Sequence, residues 1–154
     1  MTIIAENRKA RYDYNILETI DAGIELKGFE VKAVKNGRIN LTGSYAIIRG
    51  GEAWLLNADI PAYQPANAPP DYDPQRTRRL LLKKSEIKSL VGRLHEKGLT
   101  LAPLKVYIKN ASAGSARGRI KLEIGLAKSR KKADKRELIR QRETKREIMR
   151  RTGM

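Results

Sequence analysis

The sequence predicts a mainly β (α+β) fold: a small, closed antiparallel β-barrel with two to three flanking helices and a basic C-terminal tail. Several short runs of alternating or β-branched apolar residues, separated by turn signals, indicate many short strands. No helical pattern recurs regularly between successive strands, which disfavours a parallel sheet. The length of 154 residues suits a single core. We therefore expect the barrel domain at residues 1–127 and the tail at residues 128–154.

The first half of the barrel is predicted to contain a strand, a helix and a hairpin. Residues 13–26 are rich in β-branched side chains, which favours a strand. Residues 26–37 place apolar side chains within two helical turns and stop at an Asn-Gly pair, which is typical of a short helix. Residues 39–60 hold two β-rich runs around a Gly-Gly pair, so we expect a hairpin there.

The second half begins with a segment that cannot be a central strand. Residues 61–74 contain five of the six prolines, which fix φ and remove backbone donors, so this segment is predicted to be a loop. Residues 77–82, TRRLLL, predict a strand. The following amphipathic stretch predicts a helix that Ser85 caps and Gly98 closes.

The last barrel element is predicted to be a long hairpin. Residues 99–110 and 117–128 each alternate apolar and polar side chains, and the polar, flexible residues 111–116 join them. Many short antiparallel strands with polar outer faces suit a small barrel of the oligonucleotide-binding kind.

Charge and composition narrow the class of partner. The 33 basic and 17 acidic residues give a net charge of +16, which predicts a polyanion. Nucleic acid is favoured over a membrane, because no segment pairs a basic face with a broad apolar face and none is long and apolar enough to span a bilayer. The aromatic residues are scattered, which favours a folded RNA over a single strand that stacks on a row of rings. The absence of cysteine indicates a reducing, cytoplasmic setting.

Nothing in the sequence indicates catalysis, so we expect no enzyme activity, no metal and no cofactor. His95 is the only histidine and falls near the end of a predicted helix, where a structural role is expected. Asp71 and Asp73 precede a proline, and such pairs more often shape turns than perform acid–base chemistry. No phosphate-binding glycine loop is present. Two alternatives stay open: a structural ribosomal protein with a basic extension that binds ribosomal RNA, and an RNA-processing enzyme.

Three separated basic groups are candidates for RNA contact: residues 7–11, residues 76–79 and the tail. Alternation along a strand would place Arg76 and Arg78 on one face, where their guanidinium groups suit phosphate oxygens, although a solvated strand face is equally compatible. Residues 128–151 hold 12 basic and 4 acidic residues and lack a continuous apolar stripe. We expect a tail that is poorly ordered alone and helical against RNA.

Four collinear stretches carry a resemblance to a known family. They are NRKARYDYNILETIDAGIELKGFEVKAVKNGRINLTGSYA (7–46), DPQRTRRLLLKKSEI (73–87), LKVYIKN (104–110) and IGLAKSRKKADKRE (124–137). In these stretches the chain resembles the SsrA-binding protein family, also called small protein B. The resemblance implies a monomeric cytoplasmic factor that binds the tRNA-like domain of transfer-messenger RNA. It would deliver that RNA, charged with alanine and accompanied by elongation factor Tu, to stalled ribosomes for trans-translation.

The resemblance also implies which residues make the contacts. The residues implicated in binding RNA are Asn7, Arg8, Lys9, Arg11 and Asp21. Three more are implicated either in binding RNA or in shaping the surface that binds it: Arg76, Arg78 and Leu81. Those implied to enter the message channel and the small-subunit decoding centre are Lys128, Arg130, Lys131, Lys132, Asp134, Lys135 and Arg136. The chain departs from the family pattern at Ser129, where glycine is frequent, and at Ala133, where a histidine or tyrosine ring could stack on a base.

Overall fold

The computed structural model describes residues 2–62, 64, 66, 68–109, 119–130 and 140–146. Up to residue 130 this part of the chain holds seven strands and three helices. In chain order they are β1 (Thr2–Glu6), α1 (Arg8–Asp13), β2 (Tyr14–Ile24), α2 (Gly28–Lys35), β3 (Tyr45–Arg49), β4 (Glu52–Leu56), β5 (Arg78–Leu81), α3 (Lys84–Lys97), β6 (Thr100–Lys109) and β7 (Arg119–Ser129). Residues 140–146 are also helical and exposed throughout.

Six of the strands form a closed ring in the order β6-β3-β4-β5-β2-β7, and β7 pairs back with β6. Every pairing is antiparallel. The long strands β2, β6 and β7 make the most extended ladders, whereas β3 joins β6 only where Ala46 faces Leu101. Strand β1 pairs with β6 beyond the ring. The predicted mainly β, barrel-like antiparallel fold is therefore confirmed.

The core lies inside this ring and is extended by two helices. Alternate residues of the long hairpin point inward, so that Val106, Leu122 and Ile124 are fully buried. Helix α2 adds Val34, and helix α3 adds Leu90 to the same apolar cluster. Each such side chain contributes about 1.5–3 kcal/mol by its burial. The helices thus cover the barrel and leave the outer strand faces available for polar chemistry.

The turns follow the glycine pairs of the sequence. Gly50 and Gly51 between β3 and β4 have φ of 62° and 76°, the left-handed values that a two-residue hairpin turn with positive φ at both positions requires. Gly98 closes α3 in the left-handed conformation, as predicted. The expected loop, strands and long hairpin are also observed in the described residues.

Two features differ from the sequence-based expectation. Ser85 does not cap α3: the helix begins at Lys84, two residues earlier than a Ser85 cap would allow, and Lys83 is the N-cap residue. The Glu86 carboxylate accepts a hydrogen bond from the Lys83 backbone N–H at 3.0 Å. A glutamate three residues after the cap satisfies a free backbone donor, so no serine cap is needed. Strand β1 and helix α1 were not predicted, because five and six residues are too short for a clear periodic pattern. The predicted 111–116 loop lies outside the described residues.

Candidate RNA interface

Helix α1 is fixed to the outer wall of the barrel by Asn7. This N-cap residue is only 3% exposed, and its side-chain oxygen accepts a hydrogen bond from the Ala10 backbone N–H at 3.2 Å. Its amide nitrogen donates to the carbonyls of Leu41 and Pro103 at 3.2 and 2.9 Å. Ala10 packs beside Leu104 in a small apolar cluster. A helix of six residues is not stable alone, so Asn7 serves here to position α1.

The basic side chains that α1 presents to solvent are Arg8, Lys9 and Arg11. Arg11 is also paired: its guanidinium lies 3.4 Å from one oxygen of Glu123 on β7. The other oxygen of Glu123 lies 3.4 Å from the ammonium group of Lys105 on β6. We name Arg11, Lys105 and Glu123 the Glu123 cluster. Arg11 keeps 45% of its side chain exposed, so its charge remains accessible to an anionic partner.

Asp21 lies in the same row of the outer sheet face. It faces Glu123 across β2 and β7, and Glu123 in turn faces Lys105 across β7 and β6. Tyr107, two residues beyond Lys105, hydrogen-bonds to the Asp21 carboxylate. Burial, this hydrogen bond and the charges of Asp21 and Glu123 raise the pKa of Tyr107 to about 12. The hydroxyl is therefore protonated at neutral pH.

Leu81 completes this face at the far end of β2. It is 48% exposed and faces Gly23, two residues beyond Asp21. A Cβ atom at Gly23 would lie 3.2 Å from the Leu81 Cβ, so the glycine provides space for the leucine to lie across β2. Lys121 faces Gly23 from the other side. Basic, acidic and apolar groups are thus combined on one surface, which we name the α1–β2–β7 face.

Arg78 has a different environment, because its side chain is fully buried against Glu30 of α2. Its Nε and Nη2 atoms donate to one Glu30 oxygen at 2.9 and 2.7 Å. Arg76 donates to the other oxygen at 2.5 Å. The Tyr72 hydroxyl lies 2.9 Å from Glu30 and 2.7 Å from the carbonyl oxygen of Ile60. The two arginines converge as the alternation predicts, but onto a carboxylate, and we name Glu30, Tyr72, Arg76 and Arg78 the Glu30 cluster.

The protonation states of the Glu30 cluster follow from its contacts. Burial opposes the charged form of Glu30, but hydrogen bonds from Arg76, the Lys27 backbone and Arg78 outweigh it and lower its pKa to about 2. Burial and the neighbouring Glu30 raise the pKa of Tyr72 to about 12. At neutral pH the cluster is therefore a buried, hydrogen-bonded ion network. Of the two roles implied for Arg78, its burial favours shaping the RNA-facing surface over direct contact.

The tail begins at a fixed point beside α1. Strand β7 ends at Ser129, and Lys128 is exposed near that end. The backbone N–H of Arg130 donates to the carbonyl of Asp13 at 2.9 Å, and its Nε donates to the carbonyl of Tyr14 at 3.2 Å. The tail candidates that lie outside the described residues are Lys131, Lys132, Asp134, Lys135 and Arg136, together with Ala133.

Several residues of the α1–β2–β7 face were missed by the sequence analysis: Lys105, Tyr107, Lys121 and Glu123. The alternation of the long hairpin assigned its apolar residues to one face, and the polar residues between them necessarily occupy the other. That pattern could have identified them as outward-facing. It could not have indicated that Asp21 lies beside them, because strand register is not encoded by alternation alone.

The candidates for catalysis are dispersed. His95 is exposed near the end of α3. Asp73 accepts a hydrogen bond from the Gln75 backbone N–H at 2.9 Å, a turn-shaping contact, and Asp71 is exposed in the same loop. Within the described ranges no group of three or more His, Asp or Glu residues could hold a metal ion. Within the same ranges no helix has the length and apolarity needed to cross a membrane.

Comparison with known proteins agrees with this geometry. The family model described as SmpB protein matches residues 4–153. An SsrA-binding protein from Thermosynechococcus vestitus is 47% identical over 148 residues, 96% of this chain and 93% of that protein. One from Trichodesmium erythraeum is 47% identical over 96% of this chain and 90% of its own length. A solved structure reported as "tmRNA-SmpB: a journey to the center of the bacterial ribosome" matches with a TM-score of 0.64 and 43% identity, over 88% of this chain and 94% of that chain. The chain belongs to the SmpB protein family.

Proposed function

We propose that this protein binds the tRNA-like domain of transfer-messenger RNA and delivers that RNA to stalled ribosomes in trans-translation. The observation that carries the proposal is the α1–β2–β7 face. It brings Arg11 of α1 to Glu123, which faces Asp21, and it continues along β2 to Leu81, although these residues are far apart in the sequence. The names of its relatives and of the matching solved structure support the same RNA and the ribosome as partners.

The chemistry of this face suits a folded RNA. Arg8 and Lys9 are exposed and supply charge for phosphates, which positions the RNA without reading its sequence. The Asp21 carboxylate is an acceptor only, so it repels phosphates and binds donors such as ribose 2′-hydroxyls or base amines. Leu81 offers an apolar surface to a sugar or base. A surface of this mixed character favours one RNA shape over polyanions in general.

The protein is proposed to position RNA and to perform no covalent chemistry. Peptide transfer is the reaction of the ribosome, and the tail supplies charge and reach towards the message channel and decoding centre. The tail residues implied in this role are Lys128, Arg130, Lys131, Lys132, Asp134, Lys135 and Arg136. We further propose a cytoplasmic monomer that acts with alanine-charged RNA and elongation factor Tu.

A pair of matched variants tests the RNA interface. R8Q/K9Q removes two exposed charges from α1, whereas R38Q/R49Q removes two exposed charges elsewhere on the barrel. We expect R8Q/K9Q to weaken binding of an isolated tRNA-like RNA by about tenfold or more and to flatten the dependence of log K on log salt by about two phosphate contacts. Equal affinities for the two double variants would contradict the proposed interface.

A truncation tests the role of the tail. The cut is placed after Arg130, because β7 extends to Ser129 and an earlier cut would remove part of a barrel strand. We expect the truncated protein to bind the tRNA-like RNA as well as the full chain does. It should fail to support the tagging of proteins on ribosomes that have reached the end of a broken message. Retained tagging would exclude the proposed mechanism. Presence on all ribosomes in equal amount would instead favour the structural ribosomal protein.

A further inference from the structure

Helix α3 carries an interior glycine that the fold does not require. Gly92 lies in the middle of α3 and is exposed, and a Cβ atom added there would meet no other atom within 4 Å. It is not among the glycines with positive φ. Glycine is less favourable than alanine at an interior helix position, because it loses more backbone entropy. Packing and backbone conformation therefore leave this glycine unexplained.

The residues around Gly92 form one solvent-facing surface. Helical spacing places Lys88, Val91 and His95 on the same side as Gly92, and all are exposed. Val91 is 39% exposed, which makes it one of the few large apolar side chains on the surface of the described chain. The opposite side of α3 buries Leu90 in the barrel core. We name Lys88, Val91, Gly92 and His95 the α3 face.

The charge of the α3 face favours an anionic partner. Within the described part of the chain, neither Lys84 nor Lys88 pairs with a carboxylate. Arg93, on the side of α3 turned towards β2, is held by Glu18. The Glu86 carboxylate accepts the Lys83 backbone N–H and lies at the other end of the helix. Free lysines beside a glycine and a small apolar side chain suit the wide, shallow minor groove of an RNA helix, where a helix backbone can approach riboses and phosphates closely.

The position of the α3 face indicates which RNA it meets. Gly98 ends α3 and β6 starts at Thr100, which faces Ala127 just before the tail begins. The Arg93–Glu18 contact likewise places the second half of α3 beside the first half of β2, on the tail side of Asp21. The C-terminal half of α3, which carries Gly92 and His95, therefore lies on the tail side of Asp21, whereas Leu81 lies towards the other end of β2.

We propose that the α3 face docks on the backbone of double-helical ribosomal RNA, with Gly92 as the point of closest approach. The proposal rests on the proposed function, since it assigns a second RNA to a surface on the tail side of Asp21. It predicts that one added methyl group raises the stability of the protein and lowers its affinity for the ribosome. The methyl added by Gly92→Ala stabilises the helix but holds the RNA away from the α3 backbone.

The test uses the full chain and the variants G92A and S89A. Ser89 is exposed on the same helix but lines the cleft beside Glu18 and Thr19, so S89A also adds helix propensity without changing the α3 face. We expect G92A to raise the thermal midpoint by about 2–4 °C. It should weaken binding to ribosomes that carry a truncated message by about fivefold or more, while the affinity for the isolated tRNA-like RNA stays unchanged. S89A should preserve both affinities.

Each other outcome overturns the proposal. Equal affinities of G92A and S89A for the ribosome would contradict a close approach of RNA at Gly92. A loss of affinity for the isolated tRNA-like RNA would assign the α3 face to that RNA instead, and a lowered thermal midpoint would give Gly92 a role in the fold. The variant K88Q gives an independent measure, since it should flatten the salt dependence of ribosome binding by about one contact. Failure of the unmodified chain to bind tRNA-like RNA would contradict the proposed function separately.

Discussion

The Glu30 cluster and the Glu123 cluster each hold one carboxylate between two cations, yet they differ in burial. Glu30 and Arg78 have no exposed side-chain surface, and the ion-pair distances to Glu30 are 2.5 and 2.7 Å. Glu123 is 16% exposed, and its two ion pairs are each 3.4 Å long. Water and phosphates cannot reach the Glu30–Arg78 pair, whereas they can compete for the pairs of Glu123. The same ionic arrangement therefore stabilises the fold in one place and leaves an exchangeable surface in the other.

The largest effect is expected from removing the buried carboxylate. Glu30→Ala leaves the Arg78 guanidinium buried without its counter-ion, which costs about 3–5 kcal/mol in the free energy of unfolding. Denaturant unfolding, followed by circular dichroism, measures this loss. The matched change Glu123→Ala should cost less than about 1 kcal/mol, because its partners remain in contact with water. Similar losses for both variants would contradict the distinction between the clusters.

The burial of the Glu30 cluster also predicts that the free energy of unfolding depends on pH. Glu30 has a pKa of about 2 in the folded chain against 4.5 ordinarily, so its stabilising contribution is complete above about pH 4.5. That contribution is lost as the pH falls through the window down to about 2 and amounts to about 3 kcal/mol. Unfolding free energies of the wild type and Glu30→Gln, measured between pH 6 and 2, should converge as the pH falls. A constant difference between them would exclude this linkage.

A smaller effect is expected at the edge of the buried cluster. Tyr72→Phe removes the hydroxyl that lies near Glu30 and the Ile60 carbonyl but keeps the edge-to-face contact of the ring with Phe29, whose centroid is 4.7 Å away. The loss of a partly buried hydrogen bond should cost about 1–2 kcal/mol. Thermal unfolding provides the measurement, with Tyr45→Phe on the exposed surface as the control. A cost no larger than that of the control would contradict the assigned contacts.

The smallest effect on stability, but a distinct effect on RNA binding, is expected from Glu123→Gln. The change releases Arg11 and Lys105 for phosphates, so log K should fall more steeply with log salt, by up to about two contacts. Unrelated duplex RNA should gain more affinity than the tRNA-like RNA, which lowers the ratio of the two binding constants. Glu52→Gln, which removes one of the two carboxylates that pair with Arg79 on β5, is the control. An unchanged dependence of log K on log salt would show that Glu123 does not keep Arg11 and Lys105 from binding phosphates.

The two clusters also show how far the sequence can predict the molecule. Hairpins were predictable, because glycine turns and alternation act over a few residues. The Arg78–Glu30 pair was not, since the two residues are 48 positions apart and each resembles an ordinary surface charge in the sequence. The resemblance supplied Asp21 and Leu81 as separate candidates. Only the pairing of Gly23 with Leu81 places them on one face, and such pairing depends on register and burial throughout the sheet.

The two hydrogen bonds that hold Arg130 to the start of β2 have a consequence for the order of binding. They fix the origin of the remaining 24 residues beside α1. In the proposed mechanism, once the α1–β2–β7 face has bound its RNA, a second site within reach meets the tail intramolecularly, at an effective concentration that is about millimolar for short tethers. Weak contacts of the tail then suffice, because avidity supplies the affinity. A tail of modest intrinsic affinity would also dissociate readily from sites that the RNA-bound barrel does not adjoin.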